Sequence, residues 1–405
     1  MTREEMAALY QIGVKAADPM RAVTETLRDQ PLPAHDALFV LGLGKAACAM
    51  TRAALAVLPK PAAALVVTNY ENESRVAGAE VMVAGHPVPD ENGLRAAQAT
   101  EAMLAQAKAT DRVLVLVSGG GSALLPAPVE GLSLPDKAEV NRILLAGGMD
   151  IVAMNAVRQH MSRLKGGGLL RAAHPAPVTA LILSDVIGDD LRAIASGPTV
   201  APIAPRAHVV EMLRACGIWR QLPDAAQAAL LRPEDDVPVI SAENHLIGSN
   251  RQSLNAMAKA CTAAQILSTA LIGDVADAAE VIIRAAQDRK CPVALFGGET
   301  TVTLTGSGLG GRNQDLALRV ALALEGQNGW RFLSAGTDGR DGPTDAAGAI
   351  VDSGTCARIR AAGGDPAAFL ANNDSHRALA LAGDLLITGG TGTNVADLQI
   401  LSCAR

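Results

Sequence analysis

Apolar residues in this chain come in short, nearly unbroken runs that end on glycine, hydroxyl or carboxylate side chains. Val113–Val117 opens onto Ser118-Gly119-Gly120-Gly121-Ser122, and Leu38–Leu41 onto Gly42-Leu43-Gly44-Lys45. Ala180–Leu183 meets Ser184-Asp185, and Val293–Phe296 meets Gly297-Gly298-Glu299. Continuous valine and leucine without polar alternation predicts strands covered on both faces, as in a parallel sheet. Helical spacing fills the gaps. Met6, Leu9, Ile12 and Val14 predict an amphipathic helix before Pro31, and Ala46–Val57 predicts another. The loop Gly85–Asp90 precedes an alanine-rich helix, and Lys137 to Arg171 reads as largely helical, broken at Gly147-Gly148 and Gly166–Gly168.

This alternation predicts an α/β protein whose first part is a Rossmann-like, doubly wound αβα sandwich. At 405 residues the chain exceeds what one core usually supports, so a second domain is expected. Prolines and the run Glu234-Asp235-Asp236 mark a surface crossing and place the division near residue 235, giving 1–235 and 236–405. Strand patterns at Val237–Ser241, Ile266–Leu271, Val293–Phe296 and Thr300–Thr305, with a helix around Asn250–Ala264, predict a smaller mixed α/β unit there. Thr388–Asp397 is expected to end the last strand in a polar glycine loop.

Hydrophobic residues make up 49% of the chain but aromatic ones only 2%, so alanine, valine and leucine must fill the interior. A net charge of −6 argues against nucleic acid as the main partner, because backbone binding needs clustered cations. The six cysteines are scattered without metal or redox spacing and read as reduced thiols. Without an apolar secretory core or a stretch of about twenty apolar residues, a cytoplasmic protein with no membrane association is expected.

The strand ends carry the candidate chemistry. Gly42-x-Gly44-x-x-Ala47 fits a dinucleotide turn, yet the second strand ends in Asn69-Tyr70 instead of the acid that binds a ribose. Lys45 inside the turn points to an anionic ligand, the alternative being a tight turn with an exposed lysine. Gly119, Gly120 and Gly121 leave amides unobstructed for phosphate, or simply let helix and strand pack closely. Arg158 and Lys165, seven positions apart, are expected on one helix face, as a clamp for phosphate or carboxylate or as a solvated basic face. Asp185 at a strand end suits orientation of Mg²⁺ or acceptance of a hydroxyl proton, whereas Asp189 and Asp190 also suit helix caps. Gly306–Gly311 feeds Arg312 at a helix start, an anion site by geometry. Asp338, Asp341 and Asp345 crowd one turn, either solvated or helping to hold a magnesium–nucleotide or a polyhydroxy substrate. For His86, substrate contact and turn chemistry are both open, and the absence of Gly-x-Ser-x-Gly disfavours a serine hydrolase.

In order, Gly42-x-Gly-Lys45, Gly85-His86-Pro87-x-Pro89-Asp90, Ser118-Gly-Gly-Gly-Ser122, Asn155-x-x-Arg158 with Lys165-Gly-Gly-Gly, Ser184-Asp185, Gly298-Glu299-Thr300, Gly311-Arg312-Asn313, Gly336-Thr337-Asp338 and Thr391-Gly-Thr393-Asn394 resemble the D-glycerate 2-kinase, or MOFRL, family. Some of its members carry a hydroxypyruvate reductase label. The resemblance implies two α/β domains with the active site in the cleft between them, and transfer of the ATP γ-phosphate to the 2-hydroxyl of D-glycerate. Combined with the residue chemistry, it makes Lys45, Asp185 and Arg312 the catalytic candidates. Gly44, Ser118, Gly119, Gly120, Gly121, Ser122, Lys165 and Asp338 then bind ATP. His86, Arg158 and Asn313 contact D-glycerate, and Asp185 with Asp189 holds Mg²⁺. An NAD(P)H-dependent hydroxypyruvate reductase and a non-catalytic sensor are the alternatives, and a homodimer is compatible with each.

Overall fold

Two six-stranded sheets organise the chain in the computed structural model, which describes residues 1–233 and 240–404. The first contains β1 (Leu38–Leu43), β2 (Ala63–Asn69), β3 (Glu80–Ala84), β4 (Arg112–Val117), β5 (Val178–Leu183) and β6 (Glu243–Gly248). Their spatial order is β3-β2-β1-β4-β5-β6, and β1 to β5 pair in parallel. All six residues of β1, β4 and β5 are buried, which explains their continuous hydrophobicity. The chain winds outward from β1 through β2 to β3, then returns to the other side of β1 and winds the opposite way. Leu43 and Val117 are register partners, so the loops leaving β1 and β4 open side by side at the point of reversal.

The second sheet contains β7 (Ala264–Asp274), β8 (Val293–Thr301), β9 (Trp330–Gly336), β10 (Gly348–Asp352), β11 (Leu385–Leu386) and β12 (Asp397–Cys403). It is mixed, in the order β11-β10-β9-β12-β8-β7, with β7 and β8 parallel and β12 antiparallel to both β8 and β9. The loop Thr388–Asp397 therefore leads into the last strand instead of ending it, and the strand expected at Thr300–Thr305 stops at Thr301.

Contacts divide the chain into a unit of 19–183 and 189–247 and a unit of 1–18, 184–188 and 248–405. This make-up departs from contiguous segments 1–235 and 236–405. The helix Arg3–Ala16 buries Met6, Tyr10 and Val14 against Leu295, Leu333 and Ile400 of the second sheet, because its apolar stripe matches that face. Residue 235 itself, and most of the strand expected at Val237–Ser241, lie outside the described residues. All six cysteines are free. Among the described residues no helix is long and apolar enough to cross a membrane.

Gly44 sits where β1 and β4 come together, at φ +117°, and a Cβ there would overlap the Ser118 hydroxyl and carbonyl. Gly44→Ala is expected to lower unfolding free energy by at least about 2 kcal/mol in urea denaturation. A stability equal to that of the unsubstituted protein would show that the two loops are not locked together.

Candidate active site

Main-chain bonds stitch the two loops at the reversal point. The Lys45 amide donates to the Gly119 carbonyl at 2.9 Å, the Ser118 amide to Leu43 at 2.8 Å, and the Gly44 amide to Val67 at 3.1 Å. The Ser118 hydroxyl accepts from the Ala46 amide at 3.0 Å and donates to the Leu43 carbonyl at 3.3 Å. Ser118 is buried, and its side chain holds the loop together. Gly120 follows at φ +84°, and a Cβ there would stand 3.2 Å from both the Lys45 Cγ and the His86 ring. Lys45, His86 and the triple-glycine turn are thus brought together. Burial, and then the charge of Lys45, push the His86 imidazole below its usual pKa, so it is neutral near pH 7.

Lys165 reaches the same region from another element. The helix Ile151–His160 ends five residues before it, so Arg158 and Lys165 do not share one helix, contrary to the expectation from spacing. Nor is Lys165 solvated. The amides of Gly166 and Gly167 donate to the carbonyls of Ser196 and Gly197, at 3.1 and 2.9 Å, and this bend turns the lysine inward. Its ammonium donates to the Ser122 hydroxyl at 3.0 Å, which in turn bonds Ser196 at 2.7 Å. Arg158 is half-buried and donates to Asn141. Burial first, and Arg158 second, push the Lys165 ammonium down to about 7.

The other unit gathers charges at the ends of β8, β9 and β12. Arg312 grips Asp397 with Nε and Nη2, at 2.6 and 2.9 Å, and Nη2 also lies 3.2 Å from Glu299. Asp397 is fully buried; burial disfavours the Arg312 charge, but the neighbouring carboxylates outweigh it and hold the guanidinium above its usual pKa. A guanidinium held this firmly has little orientational freedom left to lose.

The expected anion site at the start of helix Arg312–Ala323 is already filled. Asp341, buried and pushed up to about 6 by that burial, accepts from the amides of Asn313 and Gln314 at 3.0 and 2.8 Å. Asn313 is buried too. Its amide group donates to Asp341 and its carbonyl accepts from Ser334 at 2.6 Å, which ties its side chain into the fold. Asp338 is half-buried and accepts from the Arg340 amide at 2.9 Å. Asp185 stands half-buried two residues beyond β5, and Asp189 sits at φ +57° outside any helix cap.

A family model described as a domain of unknown function, DUF4147, matches residues 5–231, and the MOFRL family model matches 292–397. A D-glycerate 2-kinase of Thermotoga maritima is 42% identical over 403 residues, covering 96% of this chain and 95% of that protein. The crystal structure of a glycerate kinase from the same species superposes with a TM-score of 0.91 at 40% identity, covering 98% of each chain. The chain belongs to the glycerate kinase family with a DUF4147 and a MOFRL domain. A family member in Agrobacterium vitis, 39% identical over 98% of this chain and 94% of its own length, is named a putative hydroxypyruvate reductase.

Within this glycerate kinase family member, sequence reasoning gave no role to Glu299 or Asp397, although both stand in its glycine-rich motifs. Their charges become informative only once Arg312 is seen between them.

Two measurements check this geometry. Asn313→Ala is expected to cost about 1–3 kcal/mol of unfolding free energy, since it leaves buried groups unpaired; a solvent-facing substrate contact would cost almost nothing. For Lys165, the unfolded chain binds a proton that the folded chain lacks between about pH 7 and about pH 10, so its contribution to stability rises with pH across that window. Urea unfolding of the unsubstituted protein should therefore gain on Lys165→Met as pH rises, and parallel pH profiles would mean the ammonium is not buried.

Proposed function

We propose that this chain is a D-glycerate 2-kinase, transferring the γ-phosphate of ATP to the 2-hydroxyl of D-glycerate to give 2-phosphoglycerate and ADP. The observation that carries the reading is near-full-length similarity to the Thermotoga maritima D-glycerate 2-kinase, in a chain that sets a lysine and a triple-glycine turn at the reversal point of a doubly wound sheet.

The chain's residues suit phosphoryl transfer, which depends on positioning and charge neutralisation more than on covalent chemistry. Gly44 and the Gly119–Gly121 turn let the backbone come close to the nucleotide phosphates, with Ser122 and Lys165 adding a hydroxyl and a cation. Lys45 neutralises the transferring group. Asp185 accepts the proton of the 2-hydroxyl as that oxygen forms its bond to phosphorus and the bond to ADP breaks. Arg312 pairs with the glycerate carboxylate or with charge developing on the phosphoryl group, while Arg158 and His86 contact the substrate. Asp338 assists nucleotide binding.

ATP fits this donor set because the cations and glycine turns match its phosphates. Mg²⁺ in such sites neutralises phosphate charge and is held by one or two carboxylates plus phosphate oxygens, not by a cage made of protein alone. Asp185 and Asp189 are the carboxylates assigned to it.

The Agrobacterium vitis relative keeps a reductase reading in view. Against it, β2 ends in Asn69, whose side chain accepts from Asn72 at 2.7 Å, where a dinucleotide site needs a carboxylate for the ribose.

Purified protein is expected to form ADP when given ATP, Mg²⁺ and D-glycerate, and to leave NADH and NADPH absorbance unchanged with hydroxypyruvate. Lys45→Met should lower kcat by about a hundredfold or more with the fold intact by circular dichroism. EDTA should abolish turnover and added Mg²⁺ restore it. Nicotinamide oxidation without ADP formation would replace the kinase reading with the reductase.

A further inference from the structure

Lys137 lies on the helix Leu134–Ala146, one turn from Asn141, in a segment with no glycine loop and no part in the assignments above. Its ammonium turns inward onto the Pro126 carbonyl, which also accepts from the Ser162 hydroxyl at 3.1 Å. Asn141, from the same face, accepts from the Arg158 guanidinium. Lys137, Arg158 and Lys165 are close enough that each of the other two lowers the pKa of Lys137, and Arg158 lowers that of Lys165.

The carboxylates on the surrounding elements are engaged elsewhere. Asp136 bonds Ser133, Glu139 bonds Arg142, Asp150 caps the helix Ile151–His160, and Glu101 pairs with Arg163. Among the described residues no ion pair joins a carboxylate to Lys137, Arg158 or Lys165. Burial, and then the charges of Lys165, Arg163 and Arg158, hold the Lys137 ammonium well below the usual lysine range. Holding like charges together, Lys165 buried and Lys137 and Arg158 half-buried, is costly unless an anion arrives to balance them.

We propose that Lys137, Arg158, Lys165 and the Ser122 hydroxyl form one seat for a dianionic phosphate group, with Lys137 as a phosphate-binding residue of this chain. The four groups supply cationic and hydroxyl donors from four separate segments, a set that suits a tetrahedral oxyanion better than a planar carboxylate. The inference shares Arg158, Lys165 and Ser122 with the kinase reading, but it is a claim about binding and needs no turnover.

Calorimetric titration of the full-length protein with inorganic phosphate, ATP and 2-phosphoglycerate at constant ionic strength tests it, alongside thermal unfolding. Lys137→Met removes a half-buried cation that faces other cations, so without phosphate its melting temperature should equal or exceed that of the unsubstituted protein. Its affinity for inorganic phosphate should fall about tenfold or more, whereas Lys137→Arg should stay within about threefold. Loss confined to ATP assigns the seat to the nucleotide, and loss confined to 2-phosphoglycerate assigns it to the product; either supports it. Unsubstituted protein that binds none of the three, or Lys137→Met binding all three normally, overturns it. If Lys137→Met does not fold, Lys137→Gln takes its place, and a lower melting temperature without phosphate for every neutral variant also overturns the proposal. Phosphate binding that depends on Lys137, without glycerate-dependent ADP formation, would leave the seat and remove the kinase reading. Normal kinase turnover with Lys137-independent binding would do the reverse.

Discussion

The phosphate-binding candidates depend on one contact, the parallel pairing of β1 and β4 where the winding of the first sheet reverses. Because the parallel strands on either side are added outward in opposite directions, the loops leaving β1 and β4 meet there. The bonds from Lys45 to Gly119 and from Ser118 to Leu43 fix the loops to each other. Gly44 is the residue that this closeness demands. With the pairing in place, Lys45, Gly120 and His86 have defined neighbours. Without it they would be separate glycine turns.

Electrostatics differs between the two units. Around Ser122 the chain concentrates positive charge, with Lys165 held partly deprotonated by burial. Around Arg312 it concentrates carboxylates, with Asp397 and Glu299 on the guanidinium and Asp341 beneath them. The first arrangement attracts an anion. The second holds one rigid guanidinium in a net acidic setting.

The glycine turns were legible in the sequence because each follows a run of buried aliphatic residues, and a parallel strand has no other way to be covered on both faces. β9 and β12 were harder to see. Ser334, Gln399 and Ser402 interrupt their apolar pattern yet are buried, their places set by neighbours distant in sequence. Arg158 and Lys165 were rightly singled out as cations but wrongly placed on one helix, since the chain leaves helical geometry at Met161. Asn313 shows the opposite limit. Its position beside Arg312 suggested ligand contact, but its side chain is taken up by Asp341 and Ser334.

Local sequence pattern determined the α/β class and the strand ends that carry glycine and charge, because each is encoded within a few consecutive residues, and the family was legible from motifs that recur in order along the chain. Only the tertiary structure decided that the first helix joins the second sheet, that Asp341 fills the start of a helix that had looked ready for an anion, and that Lys137 turns inward onto the Pro126 carbonyl. Those outcomes depend on which groups are left to satisfy one another once water is excluded, and no stretch of sequence specifies that by itself.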